Sequence, residues 1–492
     1  MTFRGRRVGR LLACLGAAAM GCTVSTMPKD LPLRETPDPI FEEVLGRVFE
    51  RYLYPEKIDT RAMLRGAARE LGLETAGDRI ERLHGSSLRL PGDCEDPRCL
   101  GRVLDGLVTE VSRARPGEDP DELAARALRG AVRTLDRWST VLTEEKADRA
   151  FASYRGSFVG VGCRVGRREG SVRIVEVFPG SPAARAGLRP GDRIVRVGDQ
   201  DVEGKTVSEV VGLLRGPEGS TVRIEVLRPP RKSPLRLQVE RRRVLWPTVE
   251  SRMIHPRVAY FRLRHLAKNT AVVAERSFPG VLGVPELAGI VLDLRGNTGG
   301  SMLSAARIAD LFLAEGTILE TRGRDGKPVS GLRERVVATR SGTKFEDPAL
   351  PLLVLVDEKT GSSAETLAAA LAFSGRALLV GRRTYGKSVV QKIFSFHDRL
   401  VLKLTVARVF SAGRPLPEKG LVPDVSVETE LEELLRSCVP DEGGSKLRVR
   451  IPEGDDPELR VAVSLLLSGH PRAPWTEAAS AEVCRLLDGL RG

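Results

Sequence analysis

The stretch Val354–Gln391 reads VLVDEKTGSSAETLAAALAFSGRALLVGRRTYGKSVVQ, and its reading decides the fold. The apolar, β-branched run Leu352–Val356 predicts a buried strand. A polar turn follows at Asp357–Gly361. Ser362-Ser363-Ala364-Glu365 then leads into Thr366–Phe373, whose alanines and leucines predict a helix. Ala377–Val380 predicts the next strand, and Lys387 and Gln391 lie just past it. A serine therefore stands where a strand gives way to a helix.

That position has chemical consequences. A serine in the first turn of a helix sits beside unpaired backbone N–H groups and the positive end of the dipole. The same donors can hold an oxyanion formed when the hydroxyl attacks a carbonyl. Ser362-x-x-Glu365 is also a capping box, a structural device that would occupy the attacking oxygen. Local sequence leaves both readings open.

The segment resembles the catalytic core of the carboxy-terminal processing, or tail-specific, serine peptidases. In that family the nucleophile precedes a glutamate by three positions, which selects Ser362 before Glu365. The family lysine falls at Lys387, 25 positions after the serine, and the family glutamine at Gln391, four further on. Tyr385-Gly386-Lys387 is similar to the family's aromatic-Gly-Lys. The family's usual Ser-Ala-Ser-Glu is here Ser362-Ser363-Ala364-Glu365, so Ser363 is a second candidate nucleophile.

Two further stretches carry the same resemblance. Asp293-Leu294-Arg295-Gly296-Asn297-Thr298-Gly299-Gly300 follows the apolar run Gly289–Leu294. A glycine-rich loop after a strand can bind phosphate, but this one fits neither G-x-G-x-x-G nor G-x-x-x-x-G-K-[ST]. It is similar to the family's DLR-x-N-x-GG. The resemblance implies an oxyanion hole made by the backbone N–H of Ser363 and that of Gly299 or Gly300. Earlier, Ser181-Pro182-Ala183-Ala184-Arg185-Ala186-Gly187-Leu188-Arg189-Pro190-Gly191-Asp192 closely resembles a PDZ domain. PDZ modules add an extended peptide to a sheet edge. By resemblance, Gly160, Val161, Gly162 and Cys163 would take the terminal carboxylate, with an apolar last residue in the adjoining pocket.

A serine hydroxyl needs a base. His255 and His397 match no family motif, and His397-Asp398 reads as a turn. A lysine serves only when neutral, so its pKa must fall from about 10.4 to about 7–8, at a cost of about 4 kcal/mol. Burial disfavours the ammonium, and Lys387 closely follows an apolar strand. Arg382 and Arg383 would add repulsion if they faced it. Gln391 would hold the lysine by a hydrogen bond. No cofactor and no metal are expected, because there is no HExxH and no metal-ligand spacing among seven cysteines and five histidines.

At 492 residues the chain has room for about three domains. Its net charge of +13 is spread along the chain and densest at Arg228–Arg243. Nucleic-acid signatures are absent, so a solvated arginine-rich surface is the reading, with anionic lipid next. Arg4, Arg6, Arg7 and Arg10 precede the apolar run Leu11–Met20. This is a secretory signal pattern, too short to span a bilayer. Ala19-Met20-Gly21-Cys22 resembles a lipobox, which implies lipid on Cys22 and a periplasmic, membrane-anchored protein; simple secretion without lipid is the alternative. In an oxidising compartment Cys94 and Cys99 suit a local disulfide, and Cys438 and Cys484 could pair. Cys163 is left over.

The expected architecture is α+β and multidomain. A signal peptide (1–22) and a tether (23–39) lead to a helical N-terminal region (40–155). A PDZ domain (156–243), an α/β, ClpP/crotonase-like serine protease core (244–430) and a C-terminal helical region (431–492) follow. Within the helical region, Ala127–Leu142 resembles the family's helical lead-in to the PDZ module. The expected function is cleavage of exported proteins with apolar C-termini. The alternative is a catalytically inactive, membrane-tethered PDZ scaffold. A homo-oligomer is left open.

Overall fold

The computed structural model describes residues 37–76, 79–81, 87–89, 94–231, 233–281, 286–339, 345, 347, 349–430, 437–440, 447–452, 456–468, 482–483 and 485. The expected signal, the lipobox cysteine Cys22, the Cys438–Cys484 pairing and much of the C-terminal region 431–492 fall wholly or partly outside them. The described residues are multidomain and α+β, in two compact units. One runs up to Ala147 and adds Gln391–Val406; the other holds Asp148–Val390 and the chain from Ala407 onward.

In the first unit, helices Pro39–Arg51, Thr60–Glu70, Pro97–Ala114 and Pro120–Arg133 each start at an aspartate. Asp38, Asp59, Asp96 and Asp119 accept backbone N–H groups of the first turn, each cap worth about 1 kcal/mol. Three of the four are followed by proline, whose missing N–H costs nothing there. Helices Thr60–Glu70 and Pro120–Arg133 cross at two glycines. A Cβ on Gly66 would lie 2.3 Å from the Gly130 carbonyl oxygen, so only glycine admits this approach. Cys94 and Cys99 are joined by a disulfide at the entry to Pro97–Ala114.

The helical lead-in expected over Ala127–Leu142 does not continue through Leu142: the helix ends at Arg133, and Thr140–Thr143 is a strand paired antiparallel with Leu400–Lys403. The cause is Asp136. Its carboxylate captures the N–H groups of Trp138 and Ser139 at 2.6 and 2.7 Å, which makes a turn. Thr140-Val141 then favours extended backbone.

The second unit holds two sheets that matter for function. The PDZ sheet has the order Leu235–Glu240, Thr221–Leu227, Arg193–Val197, Ser171–Val177, Cys163–Arg168. Helix Val207–Leu214 is started by a complete capping box, Thr206 with Glu209. Val210 and Leu214 from that helix join Ile174, Ile194 and Ile224 in the core. Asp192 of the Gly-Asp pair has a fully buried side chain and receives Arg228 bidentately at 2.7 and 2.8 Å.

The larger sheet is the core. Its strands run Val249–His255, Val258–Leu263, Gly289–Asp293, Leu352–Val356, Leu378–Gly381, Val425–Glu430, Leu447–Pro452, Ser437–Pro440. The six from Val258–Leu263 to Leu447–Pro452 are parallel. Gly289–Asp293 and Leu352–Val356 are buried at every residue, as continuous apolar runs in parallel sheets require. The stretch 431–492, expected as helical, supplies two of these strands besides helix Pro457–Leu467. Alternation in Leu447-Arg448-Val449-Arg450-Ile451 is the strand signal that the helical expectation passed over.

Candidate active site

Ligands of parallel sheets bind beyond the carboxyl ends of the strands. Four loops leave the core at that edge, and each carries a residue of interest. His265 follows Val258–Leu263, and Gly299 and Gly300 follow Gly289–Asp293. Ser362 follows Leu352–Val356, and Lys387 follows Leu378–Gly381.

Ser362 is the residue before helix Ser363–Phe373 and has φ 59°, ψ −124°. Positive φ in a non-glycine residue costs about 1–3 kcal/mol and persists only when the surroundings over-determine it. Here they do. Gly361 N–H donates to the Asn297 carbonyl at 3.0 Å, and Ser362 N–H to Glu365 Oε2 at 2.8 Å. Of the Ser362/Glu365 capping box, this return bond is the half with full hydrogen-bond geometry. The strained turn lifts Ser362 clear of the strand, as nucleophile elbows do. Ser362 remains partly exposed. Ser363 is 1% exposed, and its hydroxyl is buried with no hydrogen-bond partner among the described residues.

Glu365 does more than the sequence suggests. It is 2% exposed, and both its oxygens are filled. Oε2 accepts the backbone N–H of Ser362 at 2.8 Å and of Lys387 at 2.9 Å. Oε1 accepts Gly386 N–H at 2.7 Å and the Thr384 hydroxyl at 2.5 Å. One carboxylate thus ties the serine turn to the lysine loop. Hydrogen bonds to a charged group are worth about 1.5–3 kcal/mol each, enough to offset the strain at Ser362. The loop is held from its other side too: Leu421 N–H donates to the Thr384 hydroxyl at 2.8 Å. Gly386 has φ 87°, and a Cβ there would lie 2.5 Å from the Glu418 carbonyl oxygen. Lys387 itself is half-buried. Arg382, expected as a source of repulsion, is instead paired with Glu358 at 3.0 Å and Glu458 at 3.2 Å.

The glycine loop closes on the serine. A Cβ on Gly299 (φ 99°) would lie 2.8 Å from Ser362 Cβ and 3.0 Å from Ser363 N. Sequence left Gly299 and Gly300 equivalent; hydrogen bonding separates them. Gly299 N–H donates to Asn297 Oδ1 at 2.9 Å and is occupied. Neither the Gly300 N–H nor the Ser363 N–H has a protein acceptor among the described residues. Asn297 is fully buried and also donates to the Leu263 carbonyl at 2.8 Å, which explains the asparagine of the motif. Asp293 and Arg295 are braces: Arg295 grips Asp293, Asp456 and Glu458. Burial alone would lower the Arg295 pKa, but the hydrogen bonds it donates to Asp456 and Asp293 outweigh that and raise it.

His265 was missed. Its Nε2 would be 3.2 Å from a Cβ on Gly300. Its place just past a parallel strand was the available signal. His255 accepts the Arg257 N–H at 3.1 Å, and His397 sits in a turn beside Glu43 at 2.9 Å. Gln391 belongs to the first unit, where its Nε2 donates to the Thr405 hydroxyl at 3.3 Å. In the PDZ sheet, Cys163–Arg168 is an edge strand beside helix Val207–Leu214. Gly162 has φ 86°, and a Cβ there would lie 2.3 Å from Ser181 Cβ. Burial pushes the Cys163 thiol up to about 12, so it is no thiolate.

Residues 257–427 match the model of peptidase family S41, and residues 173–228 match a PDZ domain. The chain carries an S41 peptidase core and a PDZ domain. Carboxy-terminal processing protease CtpA of Bacillus subtilis is 33% identical over 63% of this chain and 65% of its own length. The chain therefore spans just under two thirds of that relative. A carboxy-terminal-processing protease of Bartonella bacilliformis is 29% identical over 75% of this chain and 84% of its own. Among solved structures, the photosystem II D1 C-terminal processing protease is 24% identical, with a TM-score of 0.43 over 79% of this chain and 92% of its own. The S41 match takes in every loop of the proposed edge, from His265 to Lys387.

Proposed function

We propose that this chain is a carboxy-terminal processing serine endopeptidase working through Ser362 and Lys387. Ser362 Oγ attacks the scissile carbonyl while neutral Lys387 takes its proton. The ammonium then protonates the leaving amine, and water, deprotonated by the same lysine, hydrolyses the acyl-enzyme. Gln391 holds the lysine. The N–H groups of Ser363 and Gly300 stabilise the oxyanion. The carrying observation is that Glu365 Oε2 receives the backbone N–H of both Ser362 and Lys387. Two segments far apart in sequence are thereby fastened at one oxygen, beside a glycine loop with a vacant donor. Burial of the Ser363 hydroxyl favours Ser362 as nucleophile.

The PDZ domain supplies the substrate class. An apolar C-terminal tail would add to the edge strand Cys163–Arg168, with its carboxylate at the N–H groups of Val161, Gly162 and Cys163. Exported proteins are the substrates, reached from a lipid anchor on Cys22. Incubating an unstructured, apolar-ended peptide with the wild type and with Ser362→Ala, Ser363→Ala and Lys387→Ala tests the chemistry. Only the wild type and Ser363→Ala should cut. Binding in all forms with cutting in none would establish the scaffold instead. Loss of membrane partition in Cys22→Ala would support the anchor; unchanged partition would dismiss it.

A further inference from the structure

We propose that Asp136, Ser139 and Thr405 form a hydrogen-bonded chain that fixes which way the Gln391 carboxamide faces, so that they are positioning residues for the reaction. The inference rests on the reading of Gln391 as the group that holds Lys387. All four residues belong to the first unit, and none of the first three stood out in the sequence.

The distances are these. Asp136 Oδ2 accepts the Ser139 hydroxyl at 2.9 Å, and Oδ1 accepts the Trp138 and Ser139 N–H groups at 2.6 and 2.7 Å. Ser139 Oγ and Thr405 Oγ1 are 3.3 Å apart, and Thr405 N–H donates to Ser139 Oγ at 3.1 Å. Thr405 Oγ1 lies 3.3 Å from Gln391 Nε2. Ser139 and Thr405 are each 1% exposed, so water does not substitute readily.

Direction follows from counting protons. A carboxamide presents a donor at one end and an acceptor at the other, and only its surroundings decide which faces where. A carboxylate only accepts. Ser139 has one hydroxyl proton, and the shorter contact with the charged acceptor claims it. The Ser139 lone pairs then face Thr405, which donates both its N–H and its hydroxyl proton to them. That leaves a Thr405 lone pair toward Gln391, which only the amide's N–H end can satisfy. Gln391 Oε1 is therefore turned to the opposite side. A protonated lysine has donors and no acceptor, so Oε1 is the end it requires. The acidic end of the chain thus sets the polarity of every bond down to the glutamine.

Thr405→Val keeps the shape and removes the hydroxyl. The chain has three glutamines, Gln200, Gln238 and Gln391, so selective 15N-glutamine labelling of the full protein gives three side-chain amide pairs. Gln391→Ala identifies the third. Thr405→Val should move the Gln391 pair and speed its hydrogen exchange, leaving the other two in place, and Thr405→Ser should restore it. On the apolar-ended peptide, kcat should fall about tenfold with KM within about twofold. The acid limb of its pH profile should move to lower pH, because an ammonium loses an acceptor. An unmoved Gln391 resonance overturns the proposal, as does a moved one with unchanged kcat and pH profile. If the wild type cuts no peptide, the peptidase reading fails separately, and the proposed role fails with it, whatever the resonances show about the chain's geometry.

Discussion

Glu365 shows how one side chain can serve a fold and a reaction at once. It reads as the tail of a capping box and acts as the fastening of two loops. Glu365→Gln would set an amide N–H₂ against backbone donors in a buried site. Loss of about 3 kcal/mol of stability is expected, together with more than a hundredfold loss of peptide cleavage; urea denaturation and peptide kinetics measure the two. Ser363 gives the converse case. Its hydroxyl is buried with no partner among the described residues, so Ser363→Ala should be neutral or stabilising by up to about 1 kcal/mol in the same denaturation experiment. Spacing and family motif singled out Ser362, Lys387 and the glycine pair. They could not reach the vacancy at Gly300 or the fourfold coordination of Glu365, because both depend on segments that meet only after folding.

At the scale of elements, strands were the most legible. Leu352–Val356 could be read to the residue, since an apolar run with clear stops leaves little choice. The strand Thr140–Thr143 was hidden by an adjacent helical pattern, and only the Asp136 turn separates them. The lysine loop depends on Gly386. Gly386→Ala combines a left-handed φ with a clash against backbone, and a loss of at least about 2 kcal/mol is expected in thermal unfolding. Helix Pro457–Leu467 begins at Asp456, whose carboxylate caps Leu459 N–H at 3.1 Å and pairs with Arg295. Although burial would raise the Asp456 pKa, the bond to Arg295 prevails and holds it below the ordinary value of 3.8. A depressed folded pKa means stability that is full above the unfolded value and lost as pH falls through the folded one. The Tm difference between wild type and Asp456→Asn should accordingly be largest near neutrality and shrink below about pH 4.

For the whole molecule, the path of the chain matters more than any single contact. The N-terminal helices recruit a distant segment, Gln391–Val406, into their own unit. Thr140–Thr143 pairs with Leu400–Lys403, and Arg399 is gripped by Asp38 at 2.8 Å and Asp121 at 2.7 Å. A form lacking residues 37–147 should leave the hairpin of strands Val389–Phe396 and Leu400–Ser411 without its N-terminal partners. Limited proteolysis is expected to cut it near Gln391–Val406, where the intact protein resists. Composition and motifs gave the order of modules along the chain. They could not show that the glutamine of a protease motif is housed with helices the first of which begins more than three hundred residues earlier.

The shared acceptor at Glu365 also has a dynamic consequence. Amide protons of Ser362, Gly386 and Lys387 all end on one carboxylate, so none can be exposed to solvent for long without disturbing the others. In deuterium-labelling experiments these three sites should gain mass with a common opening rate, as a single breathing unit assembled from two remote loops.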